Sequence, residues 1–155
     1  MEWAFLGQLG LALAFGLAAM GSSLGIIAAG RAAAGAWAKE AKAGMALRFN
    51  YIIFVGAPIS QTFYAMIVMN QMAKGLEHAS TSAGLMLGIG LATGIGEMVS
   101  AWGQGMIGAA ACRCLSEGEG KGLAFLLIAI GIIETIGILT MVFMLMLAGS
   151  IAGQK

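Results

Sequence analysis

Glu134 stands alone: from Gly122 to Gln154 no other residue is charged, so a helix here carries one carboxylate in a run long enough to cross a bilayer. A charge at that depth costs about 2.5 kcal/mol or more even on lenient insertion scales, so it needs a partner or a task. Few polar groups can serve it. Ser60, Gln61 and Tyr64 fall in a second apolar run, with Gln61 and Tyr64 on one helical face at i, i+3, and Gln104 falls in a third. Counted from the connecting segments, Gln61, Gln104 and Glu134 lie at comparable depth, so three helices can bring two amides, a hydroxyl and a carboxylate to one point. An all-oxygen set with one negative charge suits a hard monovalent cation and suits zinc or copper poorly. The Tyr64 hydroxyl can donate its proton to the carboxylate and hold it closed over the ion. The expectation is a glutamate that carries a cation across a membrane.

Each of these residues also has a plainer use. Buried amides such as Gln61 and Gln104 join membrane helices by hydrogen bonds worth only about 0.6 kcal/mol on average. Ser60 can bond back to its own helix. Pro58, the only proline, removes the donor for the Phe54 carbonyl, which either frees a ligand or merely kinks the helix. Glu97 lies about two turns before Gln104 on the same face, displaced toward the side away from the connections that follow the first and third runs. It is either a protonated or water-satisfied glutamate facing Ser22 or Ser23, or a second ion site. The shared depth with Glu134 is what makes an ion site the better account of the two glutamines.

The elements that must position these groups follow from composition. With 155 residues, 60% of them hydrophobic and only 10% charged, the chain is far too apolar for an ordinary soluble domain, where about 25% are charged. Its mean hydropathy of +0.93 agrees with an integral membrane protein. A net charge of +1 offers no basic stripe for nucleic acid, and no long polar segment remains to build a soluble catalytic domain. Cys112 and Cys114 read as free interfacial thiols, since one C-x-C with His78 far off in sequence is a weak metal signal.

Charges punctuate four apolar runs, roughly residues 4–38, 49–73, 82–112 and 122–150, each beyond the ~20 residues a spanning helix needs. No alternating pattern suggests a barrel, so four transmembrane helices are expected. The first run follows Glu2 instead of a basic segment and exceeds the core of a signal peptide, so it is kept as a span. Arg31, Lys39, Lys42 and Arg48 cluster about the first connection, and Arg113 and Lys121 flank the third, whereas the middle one sets Lys74 against Glu77. The positive-inside rule then puts the first and third connections in the cytoplasm and both termini outside, with Lys155 a small contrary vote.

The helices are of two kinds. Glycine and alanine fill the first and third, with small residues at i, i+4 such as Gly21/Gly25, Gly90/Gly94 and Gly96/Ser100, which permit close helix approach. The second and fourth are bulky and aliphatic. A thin pair and a thick pair suit the inner and outer layers of a curved ring. The alternation also reads as a duplicated hairpin, 1–75 and 80–155, in which Ile59 matches Ile132, Thr62 matches Thr135 and Gln61 falls opposite Glu134. Both hairpins point the same way.

With these motifs in this order, the sequence resembles the proteolipid (K, or c) subunit of V-type ATPases, in particular those of sodium-pumping bacterial enzymes. The resemblance covers essentially the whole chain. Its motifs are the Pro-x-x-Gln-x-x-Tyr of Pro58, Gln61 and Tyr64, the Ser-x-x-x-Gln-Gly of Ser100, Gln104 and Gly105, and the pair Glu134 and Thr135. It implies an all-α rotor-ring subunit of the cell membrane, present in about ten copies, that turns in lipid against a stator subunit bearing an essential arginine and couples to a cytoplasmic central stalk. It implies a sodium ion held by Glu134, Gln61, Gln104, Ser60 and the backbone carbonyl of Ala57, with Tyr64 as latch and Glu97 and Thr135 as possible accessories. Ser60 stands where threonine is frequent, which keeps the hydroxyl, and Ala57 replaces a larger aliphatic residue without affecting its carbonyl. Such a subunit is not an enzyme by itself, takes no organic cofactor and has no phosphate loop. Two rivals remain: the same ring carrying protons, which need only the acid and one acceptor, and a small four-helix secondary transporter, for which two such glycine-rich helices leave little cavity.

Overall fold

The computed structural model describes residues 3–78 and 80–153. Glu2 and Lys155, on which the expected N-terminus and orientation partly rest, lie outside the described residues. The chain is all-helical: α1 (Ala4–Lys42), α2 (Tyr51–Gly56), a 3-10 turn (Ala57–Ile59), α3 (Ser60–Ala73), a second 3-10 turn (Leu76–His78), α4 (Ala83–Glu117) and α5 (Leu123–Ala152). The turn at Ala57–Ile59 joins α2 to α3 as one span, so four spans among the described residues are long and apolar enough to cross a membrane, as expected from the four runs. α1, with 39 residues, is about 58 Å long, well beyond a hydrocarbon core of about 30 Å.

Small residues decide how the spans pack. A methyl group built on Gly90 would meet the backbone of Gly10 at 2.0 Å, and one on Gly105 would meet Gly25 Cα at 2.1 Å, so α1 and α4 touch backbone to backbone at both places. The same chain offset separates each pair. The two helices therefore run parallel and in register, the arrangement a duplicated hairpin requires. α5 packs on α4 and α3, and its aliphatic and aromatic side chains, including Phe125, Ile132 and Phe143, remain largely exposed on the chain's outer face.

Pro58 produces the expected break. Without a donor at Pro58 the helix tightens into the 3-10 turn, and Ser22 Oγ donates to the Pro58 carbonyl at 2.6 Å while Thr62 Oγ1 donates to Ser22 at 2.7 Å. The Phe54 carbonyl lies against Gly108, in the apolar interior. Two apolar clusters bracket the molecule, one at the first and third connections (Tyr51, Phe54, Leu115) and one at the opposite end (Met72, Met86, Ile151).

The first connection is closed by a polar lock that residue spacing alone does not reveal. Glu40, in the last turn of α1 and 1% exposed, accepts from Arg48 Nη1 at 2.6 Å, from the Arg48 amide at 3.0 Å and from the Tyr51 hydroxyl. Trp37 Nε1 donates to the Arg48 carbonyl at 2.8 Å and its ring stands edge-on to Tyr51. At the third connection Gly120 and Gly122 adopt φ of 90° and 88°, which glycine takes without steric cost. Cys112 is buried and Cys114 exposed, both as free thiols on α4.

Candidate ion-binding site

Between the two apolar clusters the polar residues of three spans meet. The Tyr64 hydroxyl, from α3, donates to Glu134 Oε1, from α5, at 2.9 Å, and both side chains are half-buried. Ser60 begins α3 at the end of the 3-10 turn, where its Oγ lies 3.0 Å from the Ala57 carbonyl and 3.0 Å from Gln61 Oε1. In the tightened turn the Ala57 carbonyl accepts from the Ser60 amide as well as lying within reach of the Ser60 hydroxyl. Gln61 is fully buried, and its Nε2 donates to Ser100 Oγ at 3.3 Å on α4. Ser100 in turn donates to the carbonyl of Ile133 at 3.0 Å, the residue beside Glu134. A continuous polar path thus runs from the Ala57 turn through Ser60, Gln61 and Ser100 to the backbone at Glu134.

Gln104 lies one turn from Ser100 toward the third connection, on nearly the same face. It is fully buried, and neither its amide oxygen nor its nitrogen has a hydrogen-bond partner among the described residues. The α4 residue that bonds directly to Gln61 and to the Ile133 carbonyl is Ser100. In the sequence Ser100 stands out only as part of a motif, and its spacing of four from Gln104 is the available signal.

Glu97 does not face Ser22 or Ser23. Ser22 is engaged with Pro58 and Thr62, and Ser23 bonds back to the Ala19 carbonyl. α4 instead turns Glu97 toward α5, where the position a Gly137 methyl would occupy lies 2.7 Å from Glu97 Oε2, 3.2 Å from Gln61 Nε2 and 3.2 Å from Ser100 Oγ. Both carboxyl oxygens are buried without a hydrogen-bond partner. Thr135 is exposed and bonds back to Gly131 at 2.9 Å, so within one chain it takes no part in the cluster.

Chemically this part of the molecule offers the Glu134 carboxylate with a hydroxyl on it, the Glu97 carboxyl, the amides of Gln61 and Gln104, the hydroxyls of Ser60 and Ser100 and the carbonyl of the tightened turn, hard donors in the main. Among the described residues no group of three or more His, Cys, Asp and Glu side chains is placed to hold a metal. Comparison with curated proteins finds no match. The family model for the C subunit of ATP synthase matches residues 9–72 and again residues 87–147, once over α1 to α3 and once over α4 and α5. Matched twice and over most of its length, the chain belongs to the ATP synthase C-subunit family, the multi-pass membrane proteolipids that form the non-catalytic rotor ring of ATP synthase-type complexes.

Proposed function

We propose that this chain is the K-type proteolipid of a sodium-translocating V-type ATPase, with one sodium site per four helices centred on Glu134. The observation that carries the reading is the Tyr64–Glu134 hydrogen bond at 2.9 Å beside a buried, unpartnered Gln104. Glu134, Gln61, Gln104, Ser60 and the Ala57 carbonyl coordinate the ion, and Tyr64 holds the loaded carboxylate. A proton would need only the acid and one acceptor, so the surplus of oxygen donors favours the larger cation.

The mechanism follows from the cost of charge in lipid. An unneutralised carboxylate at mid-span resists entry into the bilayer, so the ring turns only with Glu134 loaded. Release occurs where an arginine of the stator competes for the carboxylate, displacing Tyr64 and freeing the ion. The ring has about ten copies and its first and third connections face the cytoplasm, where they meet the central stalk. Because the first hairpin carries Gln61 where the second carries Glu134, each chain moves one ion, a low gear suited to pumping against a steep gradient.

The test is carbodiimide labelling of Glu134 in the intact ring at fixed pH. Sodium at millimolar concentration should protect the carboxyl; labelling that is indifferent to sodium but suppressed by raising pH would make the cargo a proton. A detergent-solubilised particle with the mass of a monomer or dimer would overturn the assembled form of the proposal.

A further inference from the structure

The close contact of α1 with α4 ends before the helices do. Gly10 meets Gly90 and Gly25 meets Gly105, whereas a methyl built on Gly35 would find no neighbour within 4 Å. Beyond the Gly25 contact a groove of about 470 Å³ opens, lined by residues of α1 and α4 alone. Gly35 and alanines such as Ala32 and Ala109 give it an apolar lining. Its charged lining is Arg31 and Lys39 from α1 and Arg113 and Glu117 from α4, three cations against one anion. None of the four belongs to an ion pair among the described residues, where the pairs are Glu40–Arg48 and Glu77–His78.

The depth of these charges selects the anion that can meet them. Ser22, bonded to the Pro58 carbonyl at the level of the ion site, lies near the middle of α1. Arg31 follows it by nine residues, about 13 Å along the helix. The glycine pairs set Arg113 level with Ala33, about 16 Å along. Half of a hydrocarbon core is about 15 Å, so both guanidiniums stand where acyl chains give way to headgroups. Lys39 stands about 25 Å along, on the water side of them. An unpaired charge at that boundary draws a counter-ion, and the anion that a bilayer supplies there is a phosphodiester. Its oxygens match the planar fork of arginine, and two forks face the groove from opposite walls. The apolar lining gives the glycerol and first methylenes of the lipid a surface to cover, which a free phosphate ion would not use.

We propose that this groove binds the headgroup of an anionic phospholipid, one per chain, with Arg31 and Arg113 clamping the phosphate and Lys39 meeting the outer part of the headgroup. Glu117 accepts from a headgroup hydroxyl, while the surplus of cations favours a net-negative headgroup over a zwitterionic one. The site is separate from Glu134 and does not depend on which cation the ring carries.

The experiment titrates intact, delipidated rings in detergent with phosphatidylglycerol or with phosphatidylcholine of the same acyl chains, counting bound lipids by native mass spectrometry. Wild-type rings should take up about one phosphatidylglycerol per chain, half-filled at a concentration about tenfold or more below that for phosphatidylcholine. Millimolar inorganic phosphate should not displace it. Arg31→Gln combined with Arg113→Gln should raise the half-filling concentration about thirtyfold, roughly fivefold for each charge near the bilayer surface. Gly35→Leu alters no charge and enters open space, so it should raise that concentration several-fold by occupying the groove, and it decides the matter if the double variant fails to assemble. Equal uptake of the two lipids by the wild type overturns the inference, as does wild-type affinity in either variant. Displacement by inorganic phosphate overturns it in favour of a soluble anion. A double variant that keeps its lipid but no longer holds the soluble subunits of the complex overturns it in favour of a protein partner.

Discussion

Among the described residues two glutamates meet a tyrosine hydroxyl from another helix, and they differ in everything else. Glu40 adds to Tyr51 a guanidinium and a backbone amide from Arg48, and is 1% exposed. Glu134 has Tyr64 alone and stays half-open on the outer face. The first carboxylate is saturated with fixed donors and has no reason to let go of them. The second is held by one neutral hydroxyl, enough to orient it and too little to neutralise it, which leaves room for a partner that comes and goes. A fixed partner makes a joint; an exchangeable one makes a carrier.

That contrast can be broken by stages. Glu134→Gln removes the carrier charge and should abolish both carbodiimide labelling and sodium transport in reconstituted vesicles, with the ring still assembled on native gels. Gln104→Leu should weaken sodium binding about tenfold or more, read as the protecting concentration, because a buried amide ligand is lost; a proton site would hardly change. Tyr64→Phe should weaken it several-fold, the worth of one hydrogen bond to a charged group, about 1.5–3 kcal/mol less the reorganisation of a half-exposed side chain, and should speed labelling of the unlatched carboxyl. Glu40→Gln should leave sodium protection unchanged and lower the temperature at which the ring dissociates, since it strips the Arg48 guanidinium of its anionic partner. If Glu40→Gln instead altered sodium affinity, the division between joint and carrier would be wrong.

The sequence is most legible where a polar residue interrupts an apolar run. Glu134, Gln61, Tyr64 and Gln104 stand out for that reason, and the Tyr64–Glu134 contact follows from their spacing. The four spans, the break at Pro58 and the parallel hairpins are equally readable, from run length, one proline and repeated glycines. The side of α4 on which Glu97 points is not. A helix that is apolar or small all round gives no amphipathic face from which to set its rotation, so Ser22 and Ser23 are as reasonable from sequence as the true neighbours, Gly137 and Gln61. Glu40 escapes notice for the opposite reason: beside Lys39 and Lys42 it looks like one more solvated charge at a helix end.

The contact of α1 with α4 has a mechanical side. Where Gly10 meets Gly90 and Gly25 meets Gly105 there is no side chain to compress or rotate, so the two helices form a single strut of double thickness. If Glu134 is where the ring is pushed, as proposed above, α5 would pass that push to this strut and along it to the connections with little bending. Replacing either glycine pair by alanine would force the helices apart and put a soft layer of methyl groups in the line of force, and the first loss would be in stiffness, as slip between ion passage and shaft rotation, before any loss of ion binding.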